Sequence, residues 1–173
     1  IQQVDDTASG VIIRAMAGEH WHSFVMHTLE QDWGGLENLS LIPGNVGASP
    51  MQNIGAYGVE VKDVFHSLDA YHIESGELHT FGLEDCQFGY RESVFKRSHK
   101  GQYVITSVSY RLTQAGHHTI HTEYGAIQQE LEQMAVTHPT IQDVSRAVIN
   151  IRQSKLPDPA VIGNAGSFFK NPV

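Results

Sequence analysis

The chain has 173 residues, 40% of them hydrophobic and 17% charged, with a net charge of −8 when histidine is neutral. That length and apolar content suffice for one ordinary domain with its own core. The acidic balance argues against nucleic acid or an anionic membrane surface as a partner, so an anionic ligand must be held by a few local cations and backbone N–H groups.

The N-terminal stretch, residues 1–10, has neither a basic region nor an apolar run and is not a signal peptide. It does not resemble a natural start, and the C-terminus stops inside an apolar run, so both ends read as cut. Gly10 to Met16 reads as a strand. His20 to Trp33 reads as an amphipathic helix, with Trp21, Phe24, Val25, Thr28, Leu29 and Trp33 on one face and Gly34–Gly35 as its stop. Leu39 to Gly58 follows, unusually rich in glycine and small residues. Val64 to Ile73 and Leu78 to Phe81 alternate like paired strands around the turn Glu74–Glu77.

Tyr103 to Leu112 is the clearest strand. Tyr124 to Ala135 reads as a helix with Ile127, Leu131 and Met134 on one face. Thr140 to Ser154 reads as another, with Ile141, Val144, Val148 and Ile151 inward. Thr140 and Asp143 have the spacing of a capping box, and Pro157 and Pro159 end the helical region. The pattern predicts an α+β fold with strands mostly before the two late helices. There is no internal repeat and no run of about 18 apolar residues that could span a membrane. A single cysteine, Cys86, leaves no disulfide framework and suits a reducing compartment.

Three segments carry candidate chemistry. In Pro43 to Gly58, glycines and small residues let backbone approach a ligand, and successive N–H groups can form an anion nest. A tight structural loop is the alternative. The segment is neither a Walker A loop nor a dinucleotide fingerprint. In Cys86 to Lys96, Arg91 follows turn-like Gly89 and can meet a carboxylate or enolate oxygen; an ion pair with Glu84 or Glu92 is the structural alternative. In Gly163 to Pro172, Ser167 can relay a proton as general acid, or serve only as a turn residue. The eleven histidines contain no His-Glu-x-x-His, and His117, His118 and His121 read as solvated rather than as a metal site.

Taken in order, Ile42 to Gly58, Phe88 to Lys96 and Gly163 to Pro172 resemble the UDP-N-acetylenolpyruvoylglucosamine reductase family over nearly the whole chain from about residue 10. The resemblance implies an α+β FAD-binding fold of the vanillyl-alcohol-oxidase type. Residues 1–156 would be the second FAD subdomain, with an inserted tyrosine-bearing segment near 117–139, and residues 157–173 the start of a substrate domain. It implies NADPH as reductant, FAD as cofactor, and UDP-N-acetylglucosamine enolpyruvate as the substrate reduced to UDP-N-acetylmuramate in the bacterial cytoplasm. No protein partner or metal is implied.

On that resemblance Ser167 is the proton donor and Arg91 polarises the substrate carboxylate. Pro43, Gly44, Asn45, Val46, Gly47, Ala48, Ser49, Asn53, Gly55, Ala56 and Gly58 contact FAD, and Tyr124, Lys155 and Asn171 contact the UDP-sugar. The family's flavin-phosphate loop would lie upstream and its catalytic glutamate downstream, so this segment alone is expected to be inactive. A non-catalytic flavin- or nucleotide-binding module of the same fold is the alternative. A covalent flavin oxidase is a third reading, but the glycine-rich loop holds no His or Cys to attach the flavin.

Overall fold

The computed structural model describes residues 1–7, 10–157 and 161–163. Its centre is an antiparallel five-stranded sheet in the order β1–β2–β7–β5–β6. The strands are β1 (Gln2–Asp6), β2 (Gly10–Met16), β5 (Phe65–His72), β6 (Leu78–Gly82) and β7 (Tyr103–Thr113). A separate two-stranded hairpin joins β3 (Gly55–Ala56) to β4 (Val59–Glu60). The helices are α1 (Trp21–Glu30), the short α2 (Leu83–Cys86), α3 (Gly125–Gln133) and α4 (Ile141–Lys155).

Period-two alternation builds one buried sheet face. Val11, Ile13 and Ala15 of β2 lie opposite Leu112, Tyr110 and Val108 of β7, and all six are buried. Leu68 of β5 lies opposite Val108 on one side and Phe81 on the other, continuing the stripe. The face of α1 predicted from spacing closes over it: Trp21 and Phe24 both pack against the Tyr110 ring, at centroid distances of 6.0 and 5.1 Å. Edge strand β1 is exposed at every position and polar apart from Val4, which is why no hydrophobic pattern announced it.

α1 ends earlier than its sequence suggests. Its last residue is Glu30, and Asp32, not a glycine, takes the left-handed conformation (φ 56°) that turns the chain. Gly34 and Gly35 are needed further on, for packing. A Cβ on Gly34 would lie 2.7 Å from the His118 ring, and one on Gly35 would lie 2.8 Å from Val64.

α3 and α4 form a second core of their own, from Ile127, Leu131, Val144, Ala147, Val148 and Ile151. The capping box at Thr140 is present: its hydroxyl accepts from the Asp143 N–H at 3.2 Å, while Asp143 accepts from the Thr140 N–H at 3.0 Å. The Thr140 N–H, and the Thr140 hydroxyl donating to the same carboxylate at 2.7 Å, hold the Asp143 carboxyl below the usual carboxylate range. Cys86 is fully buried, and burial pushes its thiol up to about 12, so it is not a thiolate nucleophile at neutral pH.

Candidate functional site

The glycine-rich segment folds into a tight loop laid across the ends of β2 and β7. Gly47 is where the approach is closest: a Cβ there would meet the Ala17 Cβ at 2.5 Å. The N–H groups of Val46, Gly47, Ala48 and Ser49 donate to the carbonyls of Glu19, Ala17, Asn45 and Val46. They are therefore not free to line an anion nest, which the composition had allowed. Val46, Ser49 and Asn53 are buried and hold the loop. The Ser49 and Tyr110 hydroxyls are 2.8 Å apart, and the Asn53 amide donates to the Gly89 carbonyl at 3.1 Å. Pro43, Gly44, Asn45, Ala48 and Gly58 are exposed, and Gly47, Gly55 and Ala56 are half-buried, so the loop presents a surface of backbone and small side chains.

Arg91 sits on a turn stitched to this loop. Gly89 and Glu92 exchange backbone hydrogen bonds of 3.1 and 3.2 Å, and Arg91 between them has φ 53°. A non-glycine residue in that region is strained and persists only where neighbours over-determine it. Here they do. The guanidinium donates to the Gly55 carbonyl at 2.5 Å, the Asn53 carbonyl at 3.3 Å and the Glu60 carboxylate at 3.4 Å. Ser93 donates to the Met51 carbonyl at 2.6 Å, a second stitch. The acidic partner is thus Glu60, not Glu84 or Glu92 as the sequence neighbourhood suggested; Glu92 instead lies 3.9 Å from both Lys96 and Arg97. Arg91 keeps 28% of its side chain exposed, with the Tyr90 ring centroid 5.0 Å from its guanidinium carbon.

The β3–β4 hairpin leads from Arg91 to the other half of the site. Gly55 and Glu60, which touch Arg91, form its base, and Tyr57–Gly58 its two-residue turn. Both turn residues have positive φ, 51° and 84°, the pattern of a type I′ turn. The Tyr57 ring meets the Tyr124 ring edge-on at 5.4 Å. Burial raises the Tyr57 hydroxyl pKa, opposed by the Arg152 cation of α4. Tyr124 is 53% exposed and precedes α3. Lys155, exposed, ends α4 one helical turn beyond Arg152. Ser167 and Asn171 lie outside the described residues.

Several participants were invisible to sequence reasoning. Glu60, Tyr57, Arg152, Glu37 and Asn38 enter through tertiary contacts alone; only the adjacent pair Glu37–Asn38, polar between the apolar Leu36 and Leu39, offered a signal. His118 corrects another reading: it is not solvated. Its ring contacts the Thr113 hydroxyl at 3.0 Å and Asp32 at 3.3 Å, tying the 114–124 segment to the sheet. Among the described residues no three metal-ligating side chains are grouped to hold an ion.

Glu37 is 1% exposed and its carboxylate accepts from the Gly35 N–H at 2.7 Å. Burial raises its pKa, opposed by backbone N–H groups and by His118 and His121. A raised folded-state pKa contributes stability that is full below the unfolded value of about 4.3 and lost as pH rises through the folded one. Glu37→Gln should therefore compare better with the parent at pH 7 than at pH 4. Urea midpoints at the two pH values check this, and a pH-independent difference would refute the perturbed carboxyl.

Comparison with known proteins accords with this arrangement. A family described as "FAD binding domain" matches residues 1–82. The solved UDP-N-acetylenolpyruvylglucosamine reductase of Thermus caldophilus superposes with a TM-score of 0.66 at 23% identity, covering 92% of this chain and 48% of that one. The architecture is thus an α+β FAD-binding fold.

UDP-N-acetylenolpyruvoylglucosamine reductase of Pseudomonas fluorescens is 56% identical over 173 residues, all of this chain and 50% of that protein. The reductase of Flavobacterium johnsoniae is 57% identical over 163 residues, 94% of this chain and 48% of that protein. The chain spans about half the length of these relatives, and over that half it is similar to the UDP-N-acetylenolpyruvoylglucosamine reductases throughout.

Proposed function

We propose that this chain supplies the central part of an FAD-dependent reductase that uses NADPH to convert UDP-N-acetylglucosamine enolpyruvate to UDP-N-acetylmuramate, in the cytoplasm of a bacterium building peptidoglycan. The observation that carries the reading is Arg91, a strained and partly exposed cation pinned against the glycine-rich loop. Residues 1–156 act as the second flavin subdomain, and 157–173 begin the substrate domain.

The loop would offer a flavin ring a surface of backbone and small side chains, with exposed Gly44, Ala48 and Gly58 putting no bulk in its way. Its committed N–H groups do not suit a pyrophosphate, which calls for donors from elsewhere in the whole protein. FAD, when bound, supplies the hydride chemistry. Arg91 orients the substrate carboxylate and meets the charge that grows there as the double bond is reduced. Ser167 gives the proton to the adjacent carbon. Tyr124, Lys155 and Asn171 hold the UDP-sugar, the ammonium of Lys155 near phosphate and the Tyr124 ring against the nucleotide.

The test uses the chain extended to the length of its relatives. Ser167→Ala should leave reduction of the flavin by NADPH nearly intact and slow its reoxidation by the enolpyruvyl substrate by roughly 10²–10⁴-fold, the range of a lost general acid. Stopped-flow absorbance separates the two half-reactions. Equal slowing of both, or none of the second, would remove Ser167 from its role.

A further inference from the structure

Asn38 sits in the 3-10 turn Glu37–Leu39 and is 1% exposed. Its amide nitrogen donates to two backbone carbonyls from distant parts of the chain, Tyr57 at 3.1 Å and His121 at 3.0 Å. Tyr57 is the tip of the β3–β4 hairpin, and His121 lies three residues before Tyr124. The two backbones so joined are the ones that present the Tyr57 and Tyr124 rings to each other. Because both neighbours are carbonyls, the orientation of the amide follows from its partners.

The other end of the same side chain makes the arrangement unusual. Asn38 Oδ1 is buried and has no partner among the described residues. A buried acceptor left unpaired is a liability for folding. The residue is accordingly explained by its two donors rather than by a satisfied polar core. No other uncharged residue of this size carries two hydrogens on one atom: aspartate offers none there, and serine offers one.

We infer that Asn38 is a positioning residue for nucleotide binding: its amide locks the hairpin tip to the 114–124 segment and so fixes the Tyr57–Tyr124 pair that receives the UDP moiety. This rests on the reading of Tyr124 given above. The residue does not touch ligand; it acts through Tyr57 and Tyr124.

Uridine diphosphate is the probe, titrated calorimetrically into the family-length protein and its Asn38→Ala, Tyr124→Ala and doubly substituted forms. Asn38→Ala should weaken binding about tenfold, within the range of couplings between residues sharing one network. It should raise KM for the enolpyruvyl substrate with kcat little changed, the signature of lost uniform binding. The double variant should bind no worse than Tyr124→Ala alone.

Unchanged affinity in Asn38→Ala beside a weakened Tyr124→Ala would overturn the inference. So would additive losses in the double variant. Unchanged affinity in Tyr124→Ala would instead remove the reading on which the inference rests. Should Asn38→Ala not fold, Asn38→Ser replaces it: a folded protein with an intermediate loss of affinity supports the positioning role. A serine variant that also fails to fold, or folds and binds normally, defeats it.

Discussion

Arg91→Lys is expected to lower turnover by about 10²–10³-fold, the effect of one lost charge-stabilising donor, with a smaller change in substrate affinity. The reason lies in how the guanidinium is used. Its nitrogens already serve the carbonyls of Asn53 and Gly55 and the carboxylate of Glu60, and the remaining edge is open. A planar fork can do both at once; an ammonium, a point charge on a flexible stem, cannot. Lysine should therefore also cost stability, about 1–2 kcal/mol after discount for partial exposure of the pair.

Glu60→Gln provides the control, since it disturbs the internal partner and leaves the outward edge of Arg91 in place. It should lower the melting temperature while retaining most of kcat. Melting temperature and steady-state kinetics on the same samples decide the matter. A destabilised Arg91→Lys with normal kcat would make Arg91 a structural residue only.

Trp21→Ala should produce the largest loss of stability, about 3–5 kcal/mol as for other buried tryptophans. The side chain is 1% exposed and packs edge-on to Phe24 and Tyr110. Its indole N–H donates to the Leu39 carbonyl at 2.9 Å, where the chain turns from the α1 side toward the glycine-rich loop. Removing it opens a cavity and strips that carbonyl of its partner. Against a typical total of about 5–15 kcal/mol, a domain so weakened is close to unfolding. Trp21→Phe should fall between, retaining the ring contact and losing the hydrogen bond. Urea denaturation gives both numbers; a loss below about 1 kcal/mol for alanine would mean that the core repacks around the gap.

The difference between what the sequence disclosed and what it concealed follows from range. Elements with strong periodicity were legible: β2, β7, α1 and α4 lie close to where alternation or helical spacing put them, and the predicted inward residues of α1 and α4 are buried, except that Trp33 falls beyond the end of α1 and that α4 also buries Ser145 and Ala147. β1 was hidden because an exposed edge strand needs no apolar pattern. The β3–β4 hairpin was hidden because its turn is Tyr57–Gly58, and a tyrosine with positive φ is not a residue that turn statistics offer. Arg91 stood out as a candidate, yet its partner Glu60 is 31 positions away and no local rule reaches that far. Of the two readings of the glycine-rich segment, composition could not choose: its N–H groups are claimed partly by Ala17 and Glu19, in the connection from β2 to α1, and partly by Asn45 and Val46 of the loop itself.

That small hairpin also governs how the gene can vary. Side chains along a strand alternate in direction, so inserting or deleting one residue between Gly55 and Glu60 would reverse every position beyond it. Glu60 would then face away from Arg91, or Tyr57 away from Tyr124. The turn is already the shortest that antiparallel strands commonly use, and Tyr57 and Gly58 both lie in the left-handed region. The hairpin should therefore tolerate side chains of similar size at Ala56 and Val59 better than any change in its length. A change of length is better accommodated in the connection between β7 and α3, at exposed residues 115–117 before the anchor at His118.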